Sequence, residues 1–324
     1  MKIIKLIFTV TLLSCTFLSC EKNKEVPCKP SIWYQDNDKD DLGNKAVSIE
    51  ACQKPDGFVF NSGDDDDKIA FVPSLIPSTG YTTPATYPSL KLLWADEFSG
   101  KELDEKFWNY EIGNNNGWGN NELEYYKKEN TSIKDGHLLI EAKKELIFSQ
   151  MYSSSRITTQ NKFNFKYGRV DIRAAMPKGQ GVWPALWMLG KNINEVKWPK
   201  CGEIDIMEMI GGNETGRDNT THGTAHWDNN DKYASYTGST KLASGKLHDA
   251  FHVYSIVWDA KKIAWYLDDV KYHEIDITPE GLSEFKEEYF LLFNVAVGGN
   301  WPGSPDGSTA FPQYMVVDYV RVFQ

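Results

Sequence analysis

Three carboxylates stand within six residues of an otherwise apolar stretch, "GEIDIME", at Glu203, Asp205 and Glu208. Burial normally selects against charge, and like charges at this spacing repel one another and lose hydration. Such a cluster persists where solvent reaches it or where a reaction uses it. The residue types and their spacing therefore predict a catalytic site in this segment.

The spacing also constrains the local structure. In a strand, side chains alternate between faces, so Glu203 and Asp205 share one face and Glu208 points to the other. One extra residue at Ile206–Met207, a β-bulge, would return Glu208 to the face of the other two acids and send the intervening isoleucines into the core. On a helix, Glu203 and Glu208 would lie about 140° apart. A bulged strand is therefore favoured.

Two glutamates on one face, with an aspartate between them, suit hydrolysis of a glycosidic bond. One glutamate attacks the anomeric carbon, and the other protonates the departing oxygen and later activates water. Asp205 can hydrogen-bond to Glu203 or share its proton, and mutual repulsion raises one pKa of the cluster, which helps Glu208 stay protonated. The spacing alone does not decide which glutamate attacks.

The surrounding sequence predicts many short strands. Alternating runs such as "HLLIEAKK", "FHVYSIVWD" and "YMVVDYVRVF" are separated by clusters of Gly, Asn, Asp and Pro. Helical periodicity is almost absent, and only "TPEGLSEFKEEY" predicts a short helix. Strands of this number in about 235 residues, 90–324, predict an all-β antiparallel two-sheet sandwich.

Composition limits the class of partner. The formal net charge of the 324-residue chain is −10, which argues against nucleic acid because phosphate binding needs a basic surface. Eleven tryptophans indicate a large core or an aromatic-lined groove.

Residues 1–20 predict a signal peptide, because the basic start "MKIIK" precedes an apolar run too short to span a membrane. "TFLSC" resembles a bacterial lipobox, which implies lipidation of Cys20 and an anchor that does not cross the bilayer. "TLLSC" fits about as well and would place the lipid on Cys15. We prefer Cys20 because cleavage there leaves the polar "EKNKE". The expected location is the outer membrane, the cell surface or the periplasm, or the medium if the cysteine is not lipidated.

Residues 21–71 form an acidic segment in which Asp36, Asp38 and Asp40 alternate ahead of a glycine turn. Alternating oxygen ligands before a turn can wrap Ca²⁺, although the segment is no EF-hand because no Glu follows at the twelfth position. It resembles a thrombospondin type-3-like repeat, which implies Ca²⁺ binding and a spacer role. The alternative is a solvated acidic linker.

The cysteines and the Pro/Thr/Ser-rich residues complete the domain prediction. In an exported protein, Cys28 and Cys52 are expected to form a disulfide, which leaves Cys201 as a buried free thiol. Residues 72–89 predict an extended linker to the main domain.

"GEIDIME" resembles the catalytic signature of glycoside hydrolase family 16 in its bulged form. The stretches "NGWGNNELEYY", "GVWPALWML", "GTAHWD" and "NVAVGGNWPGSPDG" resemble its laminarinase, or endo-β-1,3-glucanase, branch. The resemblance covers about residues 90–324. It implies a concanavalin-like β-jelly-roll, Glu203 as nucleophile, Asp205 as its assistant, Glu208 as acid/base, retention of configuration and no catalytic cofactor.

The resemblance also implies a cleft that binds glucan. Tryptophan rings stack on sugars, but they also fill cores. The implied substrate-binding residues are Trp118, Asn120, Arg156, Trp183, Trp187, His226 and Trp301. A purely structural role for His226 is the alternative. Four other tryptophans lie in alternating runs and are expected in the core: Trp94, Trp108, Trp258 and Trp265.

A structural Ca²⁺ is implied by resemblance at Glu97, the Gly136 carbonyl and Asp318. The alternative is that Asp318 caps a turn or pairs with Arg321. Histidines, cysteines and carboxylates show no zinc-type spacing, so no catalytic metal is expected.

The sequence thus predicts a monomeric, exported hydrolase of internal β-1,3 bonds in laminarin-type β-glucans, with the membrane contacted only through the lipid anchor. Alternatives are a hydrolase of mixed-linkage β-1,3-1,4-glucan or of a galactan, and a catalytically silent β-glucan-binding protein. Intact Glu203 and Glu208 argue against the silent protein, because pure binding needs no mutually repelling acids.

Overall fold

A computed structural model describes residues 28–37, 43–60, 62 and 75–324, and the chain divides into two compact units, Met1–Pro73 and Ser74–Gln324. In the smaller unit, strands β1 (Ser31–Gln35), β2 (Asn44–Ala51) and β3 (Phe58–Val59) form an antiparallel sheet in the order β2-β1-β3.

A disulfide joins Cys28 to Cys52, the pair expected from the sequence, with the two Cα atoms 5.9 Å apart. Asp36 is buried, and its amide donates a hydrogen bond to a backbone carbonyl 2.9 Å away. The signal peptide, Cys20, Asp38 and Asp40 lie outside the described residues, so their predicted roles stay predictions.

The larger unit is almost entirely strands. They are β4 (Leu92–Asp96), β5 (Asn109–Glu111), β6 (Glu124–Tyr126), β7 (Thr131–Lys134), β8 (His137–Ile147), β9 (Gln150–Ser154), β10 (Arg156–Thr158), β11 (Gly168–Ala175), β12 (Val182–Gly190), β13 (Glu203–Glu208), β14 (Thr220–Asp228), β15 (Tyr233–Lys241), β16 (His252–Trp258), β17 (Lys262–Leu267), β18 (Val270–Asp276), β19 (Tyr289–Val297) and β20 (Gln313–Phe323).

Helical structure in this unit is limited to α1 (Ile193–Val196) and the 3-10 turns Lys128–Asn130 and Glu280–Lys286. The last of these is the short helix expected in "TPEGLSEFKEEY", which forms as a 3-10 turn rather than an α-helix. Within the described ranges, no helix is long and apolar enough to cross a membrane.

Two large sheets confirm the predicted all-β sandwich. A seven-stranded sheet has the order β15-β14-β13-β12-β19-β10-β5, and a ten-stranded sheet contains β18-β17-β16-β11-β20-β8-β9-β6 with β4 and β7 attached. The pairing is antiparallel except between β6 and β9. Strand β13 therefore lies in the interior of its sheet, where both neighbours fix its register.

The core lies between the sheets. Strand alternation buries Met188 and Ile204 from the seven-stranded sheet against Val170 and Ile256 from the other. Burying such a side chain contributes roughly 1.5–3 kcal/mol relative to leaving it exposed. The four tryptophans predicted to be core are all buried: Trp94, Trp108, Trp258 and Trp265.

Residues 75–90, here called the strap, lie on the outer face of the ten-stranded sheet. The Tyr81 amide donates a 2.9 Å hydrogen bond to the Phe251 carbonyl, and the Thr83 amide donates one of the same length to the Tyr319 hydroxyl. The described part of the predicted Pro/Thr/Ser linker therefore packs against the ten-stranded sheet within the larger unit.

The strap also completes a buried charge pair. Asp171 is fully buried on β11, where its carboxylate accepts hydrogen bonds from Arg169 at 2.7 Å and Ser255 at 2.6 Å. The Tyr87 hydroxyl donates a third, at 2.7 Å, from the strap. A buried carboxylate needs such partners because its desolvation is otherwise uncompensated.

Removing this third donor should destabilise the protein. We expect Tyr87→Phe to lower the free energy of unfolding by about 1–2 kcal/mol, because a fully buried carboxylate loses a hydrogen bond. Tyr81→Phe is the matched control on the same strap, since its hydroxyl binds the more exposed Asp269; its effect should stay within about 0.5 kcal/mol. Urea unfolding of both variants measures the difference, and equal losses would contradict a clamping role for Tyr87.

Candidate active site

Strand β13 contains the predicted bulge. Against β12, Asp205 pairs with Trp187 and Met207 pairs with Leu186, so Ile206 is the extra residue. The register against β14 shifts over the same interval. Because both neighbouring strands skip this position, the side chains after it change face relative to a regular strand.

The bulge brings the three predicted acids to one surface. Glu203, Asp205 and Glu208 line a cleft of about 880 Å³ on the outer face of the seven-stranded sheet. Ile204 and Ile206 point into the core, where each is at most 1% exposed. The segment thus has an acidic face toward the cleft and an apolar face toward the second sheet.

Each glutamate accepts a hydrogen bond from an indole. Trp198 Nε1 lies 3.0 Å from Glu203 Oε2, and Trp183 Nε1 lies 3.0 Å from Glu208 Oε1. An N–H donor stabilises the ionised carboxylate and fixes the direction in which the carboxyl group points. The two acids are therefore held from opposite sides of the bulge by separate tryptophans.

Asp205 is held by a histidine and a core tryptophan. Its Oδ2 lies 2.8 Å from His226 Nε2, which is 3.7 Å from Glu203 Oε1. The other ring nitrogen, Nδ1, is 2.8 Å from the Tyr233 hydroxyl. Trp265 Nε1 donates to the Asp205 carbonyl at 2.7 Å and so ties the bulged strand to the core. The histidine links Asp205 to Glu203 across one face of the strand.

Burial makes the cluster hold protons at neutral pH. It raises the pKa of Glu203 to about 8, and the charge of Asp205 acts in the same direction. Burial likewise raises the pKa of Asp205 to about 8. For Glu208, burial followed by the Asp205 charge raises the pKa to about 8. Three such acids cannot all ionise together, so the site can supply one carboxylate and one proton donor at the same time.

The residues predicted to bind substrate all line the same cleft: Trp118, Asn120, Arg156, Trp183, Trp187, His226 and Trp301. The Arg156 guanidinium lies between two indoles, 4.5 Å from the Trp118 ring centre and 4.8 Å from that of Trp187. It also forms an ion pair with Glu111. Arg156 therefore holds Trp118 and Trp187 in place through cation–π contacts, and its charge is paired with Glu111.

Several cleft residues were not predicted. The rings of Trp198 and Tyr233 are 5.2 Å apart, and the two side chains are 48% and 53% exposed. Trp198 lies in a loop and Tyr233 begins strand β15, and neither is among the residues that the family resemblance implied. The remaining unpredicted residues with polar side chains include Glu111, Glu122, Asn294, Asn115 and Gln160. The sequence feature that could have pointed to Trp198 is its position in a Pro-containing loop, five residues before Glu203.

Within the described ranges, Glu203, Asp205 and His226 are the one group of three whose ligand atoms lie close enough, within 4.8 Å, to hold a metal ion. The hydrogen bond between His226 and Asp205 already accounts for this grouping.

The two carboxylates of the predicted structural calcium site, Glu97 and Asp318, bind arginines. Glu97 forms a bidentate ion pair with Arg321, at 2.7 and 2.8 Å. Asp318 binds Arg173 at 2.7 Å, and Arg321, its predicted alternative partner, pairs with Glu97 instead. Gly136 lies in the turn between β7 and β8 with φ at +76°. Each carboxylate already has a cationic partner, which argues against a shared cation.

Comparison with known proteins identifies relatives of the larger unit. The profile of glycosyl hydrolases family 16 matches residues 119–321. Beta-glucanase of Rhodothermus marinus is 38% identical over 73% of this chain and 86% of its own length. The clotting factor G alpha subunit of Tachypleus tridentatus is also 38% identical over 73% of this chain, but the match spans only 34% of that protein. The laminarinase catalytic domain of Thermotoga maritima MSB8 is 44% identical, with a TM-score of 0.66 over 72% of this chain and 98% of that domain.

Because the pKa of Glu208 is raised, replacing its carboxyl group with a neutral amide should stabilise the protein by an amount that depends on pH. Between its unfolded pKa, roughly 4.3, and about 8, native Glu208 keeps a proton that the unfolded chain releases, so stability falls as pH rises. We expect Glu208→Gln to increase the free energy of unfolding by on the order of 2 kcal/mol at pH ~8.5. At pH ~4.5 the variant should match wild type. Urea unfolding of wild type and Glu208→Gln at both pH values measures this difference. An equal gain in stability at the two pH values would contradict the raised pKa of Glu208.

Proposed function

Because the chain belongs to glycosyl hydrolases family 16, we propose that it hydrolyses internal β-1,3-glucosidic bonds of laminarin-type β-glucans with retention of configuration. The observation that carries this proposal is the bulge in β13, because it directs the side chains of three acids toward a cleft lined by tryptophans. The similarity to a beta-glucanase and to a laminarinase catalytic domain supports the choice of β-glucan.

In the first step, Glu203 attacks the anomeric carbon while Glu208 gives its proton to the departing glycosidic oxygen. The product is a covalent glycosyl–enzyme ester, and the released glucan carries the proton. In the second step, Glu208, now a carboxylate, takes a proton from water as that water attacks the anomeric carbon and frees Glu203. The enzyme returns to its starting protonation state.

The surroundings of each acid support this division of roles. Glu203 must be ionised to attack; burial and the charge of Asp205 raise its pKa, and His226 and the Trp198 N–H oppose them by favouring the charged form. Glu208 must begin protonated, and burial together with the charge of Asp205 raises its pKa. Asp205, held by His226, can take up the proton that Glu203 would otherwise retain.

The cleft composition suits a neutral glucan. Indole rings present apolar faces for the C–H faces of glucose units, and Asn120 and Asn294 offer polar contacts to hydroxyl groups. Arg156 has its charge paired with Glu111, so it provides no free cation for a sulfated chain. This favours β-glucan over a sulfated galactan.

The catalytic roles predict which substitutions abolish activity. We expect Glu203→Gln and Glu208→Gln to reduce kcat on laminarin by about 10³-fold or more, because each removes a reacting group. Glu195→Gln, an exposed acid on α1, is the matched control and should retain wild-type activity. Reducing-sugar release measures all four proteins. Release by Glu203→Gln equal to that of wild type, or none by wild type, would refute the proposed function.

The linkage preference is tested by a panel of laminarin, curdlan, lichenan and agarose with product chromatography. We expect laminarin and curdlan to yield short oligosaccharides with the β-anomer formed first, which reports retention. Products mainly from lichenan or agarose would support the mixed-linkage or galactan alternative. Binding of laminarin without any products would support a silent glucan-binding protein.

We also propose that residues 21–71 form a thrombospondin type-3-like repeat that spaces the hydrolase from a lipid at Cys20, in an exported protein. The disulfide between Cys28 and Cys52 supports this, because such bonds persist in oxidising compartments. Incorporation of labelled fatty acid by wild type but not by Cys20→Ala tests the anchor, and equal incorporation by both would refute it.

A further inference from the structure

Tyr233 begins strand β15 at the edge of the seven-stranded sheet, and its side chain lines the cleft. In the ladder between β14 and β15, His226 pairs with Ser235, and Tyr233 lies two positions before Ser235. Positions two apart on a strand share a face, so Tyr233 is a diagonal neighbour of His226, within reach of an aromatic side chain. The pairing of these two strands therefore brings Tyr233 beside the histidine that contacts two of the acids.

The Tyr233 hydroxyl holds one nitrogen of the His226 ring, while the other nitrogen faces the acids. The hydroxyl lies 2.8 Å from His226 Nδ1, and the two rings stack at an interplanar angle of 19°. Nε2 of the same ring lies 2.8 Å from Asp205 Oδ2 and 3.7 Å from Glu203 Oε1. Because a hydroxyl can both donate and accept, it can bond to Nδ1 whether or not that nitrogen carries a hydrogen. The ring can therefore stay in place in either state of Nδ1.

The ring of Tyr233 also contacts Trp198, with the ring centres 5.2 Å apart. Trp198 Nε1 donates to Glu203 Oε2 at 3.0 Å, and His226 Nε2 lies 3.7 Å from the other oxygen, Oε1. The two oxygens of this carboxyl group are thus approached by two different side chains, and Tyr233 contacts both of them. Trp198 comes from a loop and is half exposed, so the neighbouring aromatic ring restricts the orientations open to its indole.

We propose that Tyr233 is a positioning residue for the nucleophile of the proposed reaction. Its hydroxyl fixes the His226 ring, its own ring supports Trp198, and these two side chains fix the direction of the Glu203 carboxyl group. The inference rests on the proposed function, in which Glu203 attacks the anomeric carbon. A carboxyl group already held in the direction of attack loses less freedom in the transition state than one that rotates. Tyr233 itself forms no bond to the reacting atoms.

The exposure of Tyr233 separates this role from a structural one. The side chain is 53% exposed, and substitutions at such positions usually change stability little. Tyr233→Phe keeps the ring that contacts Trp198 and His226 and removes only the hydroxyl. A change in rate without a change in stability would therefore report on the position of His226.

The matched control is Tyr236→Phe, on the same strand. Tyr236 is an odd number of positions from Tyr233 and so points to the opposite face of β15, where its ring centre lies 4.7 Å from that of His273. Both variants should unfold at the urea concentration that unfolds wild type.

Steady-state kinetics on laminarin test the role of the hydroxyl. We expect Tyr233→Phe to lower kcat by about tenfold and to leave KM within about twofold of wild type, because the hydroxyl orients the nucleophile and does not bind the glucan. Tyr236→Phe should match wild type in both constants. A wild-type kcat in Tyr233→Phe overturns the proposal, and so does a rise in KM alone. A loss of kcat that comes with a lowered urea midpoint overturns it as well.

An activated substrate shows which acid the hydroxyl serves. A laminarioligosaccharide with a dinitrophenolate leaving group needs no proton from Glu208, so the loss in kcat/KM of Tyr233→Phe should persist on it. A loss that disappears on this substrate would place the effect on Glu208 and overturn the proposal.

NMR of the labelled imidazole nitrogens tests the hydrogen bond without substrate. The His226 Nδ1 resonance, assigned by its absence in His226→Gln, should shift in Tyr233→Phe and stay in place in Tyr236→Phe. An unmoved resonance in Tyr233→Phe overturns the proposal. If wild type itself releases no sugar, the proposed function fails together with the role toward Glu203, whereas the resonance still decides whether Tyr233 holds His226.

Discussion

The chemistry of this protein depends on one extra residue in an interior strand. Without the bulge at Ile206, Glu208 would point between the two sheets, where an unpaired carboxylate has no solvent and no counter-ion. With it, the same side chain lies in the cleft, and Ile206 and Met207 are buried instead. Both neighbouring strands carry the matching register shift, and the Trp265 indole holds the Asp205 carbonyl from the core. The two neighbouring strands and the Trp265 side chain thus hold the bulge in place.

Around this strand, indole groups serve as hydrogen-bond donors as well as apolar surface. Trp183 donates to Glu208 and Trp198 donates to Glu203. Trp187 donates to Asn294, whose amide donates to the Tyr126 hydroxyl, which in turn donates to Glu122. Burial in this cleft raises the pKa of Glu203, Asp205 and Glu208. The burial that raises these pKa values therefore also lowers stability at neutral pH, and the core between the sheets offsets that loss.

The opposite sheet uses buried charge for a structural purpose. Asp171 is as buried as any acid of the cleft, yet it is surrounded by Arg169, Ser255 and, from the strap, Tyr87. The two Asp171 oxygens accept three hydrogen bonds, whereas the cleft acids are held close to one another with fewer donors than oxygens. The contrast shows why buried acids alone do not mark a reactive site: the partners decide whether the carboxyl group is fixed in charge or free to exchange a proton.

The sequence by itself determined the strand-rich fold, the face shared by Glu203 and Asp205 and the need for a bulge before Glu208, because strand periodicity is a local property of the chain. It also grouped Trp183 and Trp187 with the acids through a family resemblance. Only the tertiary structure decided that Trp198 and Tyr233 join the cleft, that Glu97 and Asp318 pair with different arginines, and that Tyr87 shields Asp171. Those contacts join residues from loops and distant strands, whose meeting depends on how the two sheets pack and not on any spacing along the chain.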